Sequence, residues 1–239
     1  MNLIQNQFSK NAKTYSDYNF IQNLVSKELI SQISDKPKNI LDIGCGTGAI
    51  YRNIDWEIEN FIGVDFSEKM LETHPKNKNI TLFFQDFNNL DIELLKKQRF
   101  DRIISSSALQ WASNLEQTFY DISKLEIPIS FAIFTSGTFK TLHKTAGIKS
   151  PLKNIDEVKD VANKYFQADF KILNYKLEFE TVLDIFKYIK KSGVSGGKKK
   201  LSFQETKKLM KNYPVKYLEF EIILFNNSVS PKKIMNFCD

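Results

Sequence analysis

At 239 residues, with 42% hydrophobic and 26% charged side chains, the chain is long enough for one large domain with a full core, and a single domain spanning 1–239 is expected. Two cysteines, Cys45 and Cys238, and two histidines make neither a disulfide framework nor a metal set, and a formal charge of +6 points mildly to an anionic partner, although a lysine-rich surface also serves solubility alone. No charged leader followed by an apolar run opens the sequence and no stretch approaches a membrane span, which predicts a soluble, cytoplasmic protein without a membrane partner.

Along the chain, Phe8, Ala12 and Tyr15 sit one helical turn apart on a polar segment, read either as a lid over a ligand or as a helix end packing one aromatic ring. Between Asp17 and Ser34 the apolar residues Phe20, Ile21, Leu24, Val25, Leu29, Ile30 and Ile33 recur at helical spacing and predict a helix with one buried face. Strands are expected near 39–43, 60–65, 79–84, 100–105 and 128–134, with helices between them, including Ser67 to Thr73 and Asn88 to Lys97. After the fifth strand, Thr135 to Phe166 is longer than a simple crossover needs. It reads as two short helices carrying Lys140, His143, Lys144, Lys149 and Lys153, a cap over the site. A strand near 169–179 follows, then an amphipathic helix with Val182, Ile185, Phe186 and Ile189 inward, a glycine-rich loop from Ser192 to Gly197, the run Lys198 to Lys200, and a last strand from Tyr213 to Asn226. The fold class expected is α/β: a doubly wound, Rossmann-like seven-stranded sheet, with a helical cap inserted after the fifth strand and an antiparallel last strand. Its parts are an N-terminal lid (1–34), a cofactor-binding core (35–134), a substrate cap (135–168) and C-terminal strands and helices of the same sheet (169–239).

The chemistry concentrates where the first strand, Asn39-Ile40-Leu41-Asp42-Ile43, breaks into Gly44-Cys45-Gly46-Thr47-Gly48, a turn whose missing Cβ atoms let backbone approach a ligand. Cys45 is a small residue that fits such a turn. Asp65 closes the second strand about 20 residues further on, where a carboxylate accepts from both hydroxyls of a ribose. Gly44-x-Gly46-x-x-Ala49 also satisfies the dinucleotide fingerprint. Three features favour S-adenosyl-L-methionine instead: Asp42 can face an ammonium group, Gly48 opens the turn, and Asp86 after the third strand can accept from an adenine amino group. Together they resemble the Class I S-adenosylmethionine-dependent methyltransferases. The cofactor-binding set expected is Asp42, Gly44, Cys45, Gly46, Gly48, Asp65, Phe66, Met70, Gln85, Asp86, Phe87 and Ser105. Members acting on base amines carry an Asn/Asp-Pro-Pro-aromatic turn after the fourth strand. Here Ser106-Ser107-Ala108-Leu109-Gln110-Trp111 stands instead, so no nucleic-acid partner is expected.

End to end, the chain resembles the biotin-pathway malonyl-acyl-carrier-protein O-methyltransferases. The residues that carry the likeness are Phe8, Ala12 and Tyr15 ahead of Gln22, the glycine turn, Asp65-x-Ser67-x-x-Met70-Leu71, Leu109-Gln110-Trp111, Phe134-Thr135-Ser136-Gly137-Thr138-Phe139-x-x-Leu142-His143, Lys190-x-x-Gly193 and Tyr213-Pro214-Val215-x-Tyr217. The resemblance implies methylation of the free carboxylate of a malonyl thioester on an acyl-carrier protein. Gln110, Trp111, Lys140, Lys144 and Lys149 are then the substrate contacts, and Tyr15 and His143 orient without acting as bases. It departs from the family where a Pro-Gly-Gly turn before the fifth strand is replaced by Lys124-Leu125-Glu126-Ile127-Pro128, and where a cap arginine gives way to Lys149-Ser150-Pro151. The alternatives are a small-acid carboxyl methyltransferase of the trans-aconitate type and a non-catalytic binding subunit; a monomer is favoured.

Overall fold

The computed structural model describes residues 19–192 and 202–227, and all structural statements below concern those residues. Helix α1 (Phe20–Ser31) occupies most of the expected 17–34, of which 17 and 18 lie outside the described residues. The strands are β1 (Asn39–Ile43), β2 (Asn60–Asp65), β3 (Ile80–Phe84), β4 (Arg102–Ser106), β5 (Ile129–Phe134), β6 (Asp169–Glu178) and β7 (Tyr217–Asn226). They form one seven-stranded sheet in the order β3-β2-β1-β4-β5-β7-β6. Pairing is parallel from β3 to β5, and β7 runs antiparallel to both neighbours. The connecting helices are α2 (Ala49–Asn53), α3 (Glu68–Thr73), α4 (Ile92–Lys96), α5 (Leu115–Ser123), α6 (Lys140–Ala146), α7 (Ile155–Tyr165), α8 (Val182–Lys191) and α9 (Phe203–Asn212).

The central strands are continuous apolar runs because both faces of the sheet are covered; every residue of β1 and β5 is buried. Alternate side chains feed two cores. Leu41, Ile43, Ile103, Phe131 and Phe225 pack with α5 and α7, where Phe119 stacks edge-on to Phe166 at 5.5 Å between ring centres. On the other face Ile40, Ile104, Ala132 and Phe220 meet Ile21, Val25 and Leu29 of α1 and Ile185 of α8. Among the described residues no helix is long and apolar enough to cross a membrane.

Three expectations change. The last strand begins at Tyr217, not Tyr213: Pro214 has no N–H for the ladder, and the Tyr213 hydroxyl donates to the Tyr217 carbonyl at 2.9 Å instead. The helix expected from Asn88 to Lys97 is a single 3-10 turn (Phe87–Asn89) followed by α4. Of the expected cap, α7 lies in the covering layer of the sheet, packed on α5 with Val158 and Ala162 buried, which leaves α6 as the element that departs from the ordinary crossover.

The strand order reverses between β1 and β4, and at that point the chains leaving their C-terminal ends diverge and open a crevice. At the opposite edge Arg102, buried on β4, donates to the carbonyls of Ile129 and Asn227 and pairs with Asp35 at 2.7 Å. That arginine ties β4, β5 and the end of β7 together beneath the site.

Candidate active site

The crevice holds a cavity of about 350 Å³, within the range of small-molecule sites. Its floor is the glycine turn. Gly44 and Cys45 donate to the Val64 carbonyl at 2.8 and 3.0 Å, which fastens the turn to the end of β2. Gly44 has φ +72°, and a Cβ there would stand 2.3 Å from the Cβ of Ala108, so only glycine lets the β4 loop close over β1. Gly46, φ +53°, has no atom within 4 Å of where its Cβ would be: that space is the cavity. Gly48 instead packs against Pro75 and the His74 ring, away from the cavity lining.

Asp65 joins the turn to the second strand. Gly46 donates to one of its oxygens and Ser67 to the other, each at 2.9 Å. Burial pushes its pKa up to about 6, against the pull of the backbone N–H groups of Ser67, Gly46 and Phe66. Behind the turn, Asp42 is buried with no hydrogen-bond partner for either oxygen among the described residues. Its pKa is raised well above the carboxylate range, by burial first and then by the charge of Asp65. An ionised carboxylate so placed is costly unless a cation comes to it. Burial also raises the Cys45 thiol, which packs against Gly63, and an inert packed cysteine is the outcome.

Phe66, Met70, Phe87 and Trp111 form the apolar walls, with Phe66 and Phe87 edge-on at 6.2 Å. Asp86 and Gln85, which flank the start of the Phe87 turn, do not line the cavity. One Asp86 oxygen caps the following turn by accepting from the backbone and side-chain nitrogens of Asn88, and Gln85 accepts from the Asp91 N–H at 3.3 Å. Ser105 lies behind the wall, donating to the Ile43 carbonyl at 2.7 Å, while Ser106, Ser107 and Ala108 face the cavity. Gln110 turns back to donate to the Ser107 carbonyl at 2.6 Å and does not line the cavity.

Thus Gly44, Cys45, Gly46, Asp65, Phe66, Met70, Phe87 and Trp111 of the expected residues meet at one cavity. His143, Lys140, Lys144 and Lys149 do not line it. Thr141 hydrogen-bonds Glu219, and Glu221 accepts from the Gly137 N–H at 3.1 Å, so α6 is moored to β7. His143 Nδ1 is buried without a partner among the described residues, and burial lowers its pKa; the three lysines are exposed. Tyr15, Phe8, Ala12 and the run Lys198 to Lys200 lie outside the described residues.

Sequence reasoning missed one wall. Asn19, at the N-cap of α1, and Gln22, Asn23 and Ser26 within it line the cavity together with Thr47 and Arg52, and Ser26 donates to Ser106 at 3.1 Å. The spacing i, i+3, i+4, i+7 is a polar stripe on a helix otherwise read for its apolar one. Asn19, Gln22 and Ser26 are buried, and the side-chain oxygens of Asn19 and Gln22 have no hydrogen-bond partner among the described residues.

The profile of the family described as "Methyltransferase domain" matches residues 34–168. A Malonyl-[acyl-carrier protein] O-methyltransferase 2 from Coxiella burnetii is 28% identical over 207 residues, 80% of this chain and 81% of its own. A Malonyl-[acyl-carrier protein] O-methyltransferase 1 from Ilyobacter polytropus is 27% identical over 246 residues, 94% and 90% of the two chains. A SAM-dependent methyltransferase from Thermotoga maritima superposes with a TM-score of 0.57 at 16% identity, over 93% of this chain and 99% of its own. The plantazolicin methyltransferase in complex with SAH does so at 0.54 and 15%, over 94% of each chain. At such identities the two structures speak for the fold alone.

Proposed function

The chain belongs to the methyltransferase-domain family, and from that premise we propose that it uses S-adenosyl-L-methionine to methylate the free carboxylate of a malonyl-acyl-carrier protein, the substrate that its relatives' names print, as a step towards biotin. The observation that carries the cofactor reading is the glycine turn, open to the cavity at Gly46 and joined to Asp65; behind it Asp42, which does not itself line the cavity, is a buried carboxylate with both oxygens unpartnered among the described residues. An ammonium group held in front of the turn would bring a positive charge towards Asp42, whereas a dinucleotide carries no ammonium group. When bound, that cofactor supplies a methyl group already activated on a sulfonium.

The residues of the chain would divide the remaining work. Asp65, held by Gly46 and Ser67, keeps lone pairs for ribose hydroxyls. Phe66, Met70 and Phe87 supply an apolar slot for an adenine ring, and Trp111 with Ser106 and Ser107 borders the side where a substrate enters. A malonyl carboxylate is ionised at neutral pH, so no general base is required of the protein, and what it contributes is orientation and exclusion of water. His143, off the cavity, fits that economy. For the carrier protein, the exposed lysines Lys140, Lys144, Lys149 and Lys153 offer a positive surface to an acidic partner.

Calorimetric titration tests the cofactor reading. S-adenosylhomocysteine should bind, and Asp65→Ala should weaken it by about 1.5–3 kcal/mol for hydrogen bonds to a charged group. Tight binding of NAD with no response to S-adenosylhomocysteine would overturn it.

A further inference from the structure

Only two charged side chains stand among the described residues that line the cavity: Asp65, already engaged by backbone N–H groups, and Arg52. Arg52 sits one turn into α2, directly after the glycine turn, and one arm of its guanidinium donates to the Thr47 carbonyl. No carboxylate among the described residues forms an ion pair with it, whereas other surface cations such as Lys38, Lys164 and Lys171 each hold one. Arg52 is exposed overall, and the covered part of its side chain works against its charge and lowers its pKa, a cost that an anion in the cavity would offset. Its helix is fixed from the side: Asn53 donates at 2.9 Å both to Asn23 of α1 and to the Ala49 carbonyl, and so locks the polar stripe of α1 against α2. The lining of the cavity therefore holds a guanidinium without an ion pair among the described residues, together with the side-chain amides of Asn19, Gln22 and Asn23, the last tied by Asn53 to the helix that carries Arg52.

A guanidinium with free N–H donors in a planar fork takes a carboxylate in two parallel hydrogen bonds, and amide donors on the same cavity wall can add to them. We propose that Arg52, with the amides of α1, is the carboxylate-binding subsite of this cavity. The assignment rests on the methyltransferase reading above, which provides two carboxylates: that of the cofactor's amino-acid end and that of the acyl substrate. It gives the anionic group a cation inside the cavity, where the sequence offered only the exposed lysines of α6 and the loop after it.

The test uses the whole protein and its Arg52→Gln and Arg52→Lys variants, titrated calorimetrically with S-adenosylhomocysteine and with 5′-methylthioadenosine, which lacks the amino-acid end, alongside the KM for malonyl-carrier protein. If the subsite holds the cofactor's carboxylate, Arg52→Gln lowers S-adenosylhomocysteine affinity about 10–100-fold and leaves 5′-methylthioadenosine within about twofold. If it holds the substrate's, S-adenosylhomocysteine is unchanged and the KM rises by a similar factor, with Arg52→Lys recovering part of it in either case. The proposal is overturned if both ligands and the KM stay within about twofold of wild type, or if 5′-methylthioadenosine loses as much affinity as S-adenosylhomocysteine, since Arg52 would then only shape the pocket. Failure of the wild-type protein to bind S-adenosylhomocysteine at all would sink the underlying cofactor reading, and this assignment with it.

Discussion

Two glycines two residues apart should fail in different ways when alanine replaces them, and the difference follows from where their Cβ atoms would go. Gly44 at φ +72° would place a methyl group 2.3 Å from the Ala108 Cβ, far inside contact distance, with the β4 loop held by its own ladder. The left-handed conformation costs about 1–2 kcal/mol and overpacking about 1–3 kcal/mol more, so Gly44→Ala should lose about 2–5 kcal/mol of stability. In a domain of this size that lowers the thermal midpoint by roughly 4–20 °C. Gly46 at φ +53° meets nothing within 4 Å, so Gly46→Ala incurs only the conformational cost, about 1–2 kcal/mol, or roughly 2–8 °C. Its methyl group, however, projects into the cavity beside the N–H that Asp65 accepts. Affinity for S-adenosylhomocysteine should therefore fall by about tenfold or more while the fold persists. Thermal unfolding and calorimetry on the two variants decide it. A Gly46→Ala protein that binds as tightly as wild type, or a Gly44→Ala protein that melts with it, would refute the placement of the turn as cavity floor.

Asp42→Asn should gain stability at pH 8 in urea unfolding, because the raised carboxyl costs stability progressively as pH rises above its unfolded pKa, yet lose affinity for S-adenosylhomocysteine; a destabilised variant would contradict the unpaired state of Asp42. Asp65, raised from 3.8 to about 6, contributes stability that is present below its unfolded pKa and lost as pH rises through 6. Binding that needs the ionised form runs the other way, so S-adenosylhomocysteine should bind about tenfold more weakly at pH 5 than at pH 7.5 by calorimetry, and equal affinity would count against Asp65 as the ribose acceptor. His143→Ala should retain turnover within a few-fold, with a rate flat from about pH 7 to 9; loss of turnover with both substrates still bound would give that histidine the chemical role denied to it. Reversing Lys140 and Lys144 to Glu should raise the KM for malonyl-carrier protein and leave a small malonyl thioester alone. Added salt should act likewise, since exposed charges are screened over about 10 Å at 0.1 M.

The sheet was legible because its central strands are buried on both faces and so appear as unbroken apolar runs: β1 and β2 fall on the residues expected of them. Tyr213 was misassigned to a strand because alternation continues through Val215 and Tyr217, although Pro214 interrupts the ladder. Assigning α7 to a cap overlooked Val158, Ala162 and Phe166, a helical stripe four residues apart that the sheet buries. At the site, the glycine turn and Asp65 announce themselves by residue type and spacing. Ser105 and Ser106 do not, because which of two consecutive serines faces the cavity is set by the parity of β4, and parity at a strand end is not legible in composition. Arg52 was invisible for another reason: an arginine on a short helix reads as surface until the folding of α1 beside it makes that surface a wall.

The most direct measurement is the intact mass of a malonyl-loaded acyl-carrier protein after incubation with the enzyme and labelled S-adenosyl-L-methionine. The account predicts one methyl group added per carrier protein, released by ester hydrolysis and absent when the carrier bears an acetyl group in place of malonyl. Transfer to trans-aconitate or another free acid faster than to the carrier-bound malonyl group, or no transfer to the carrier at all, would contradict it.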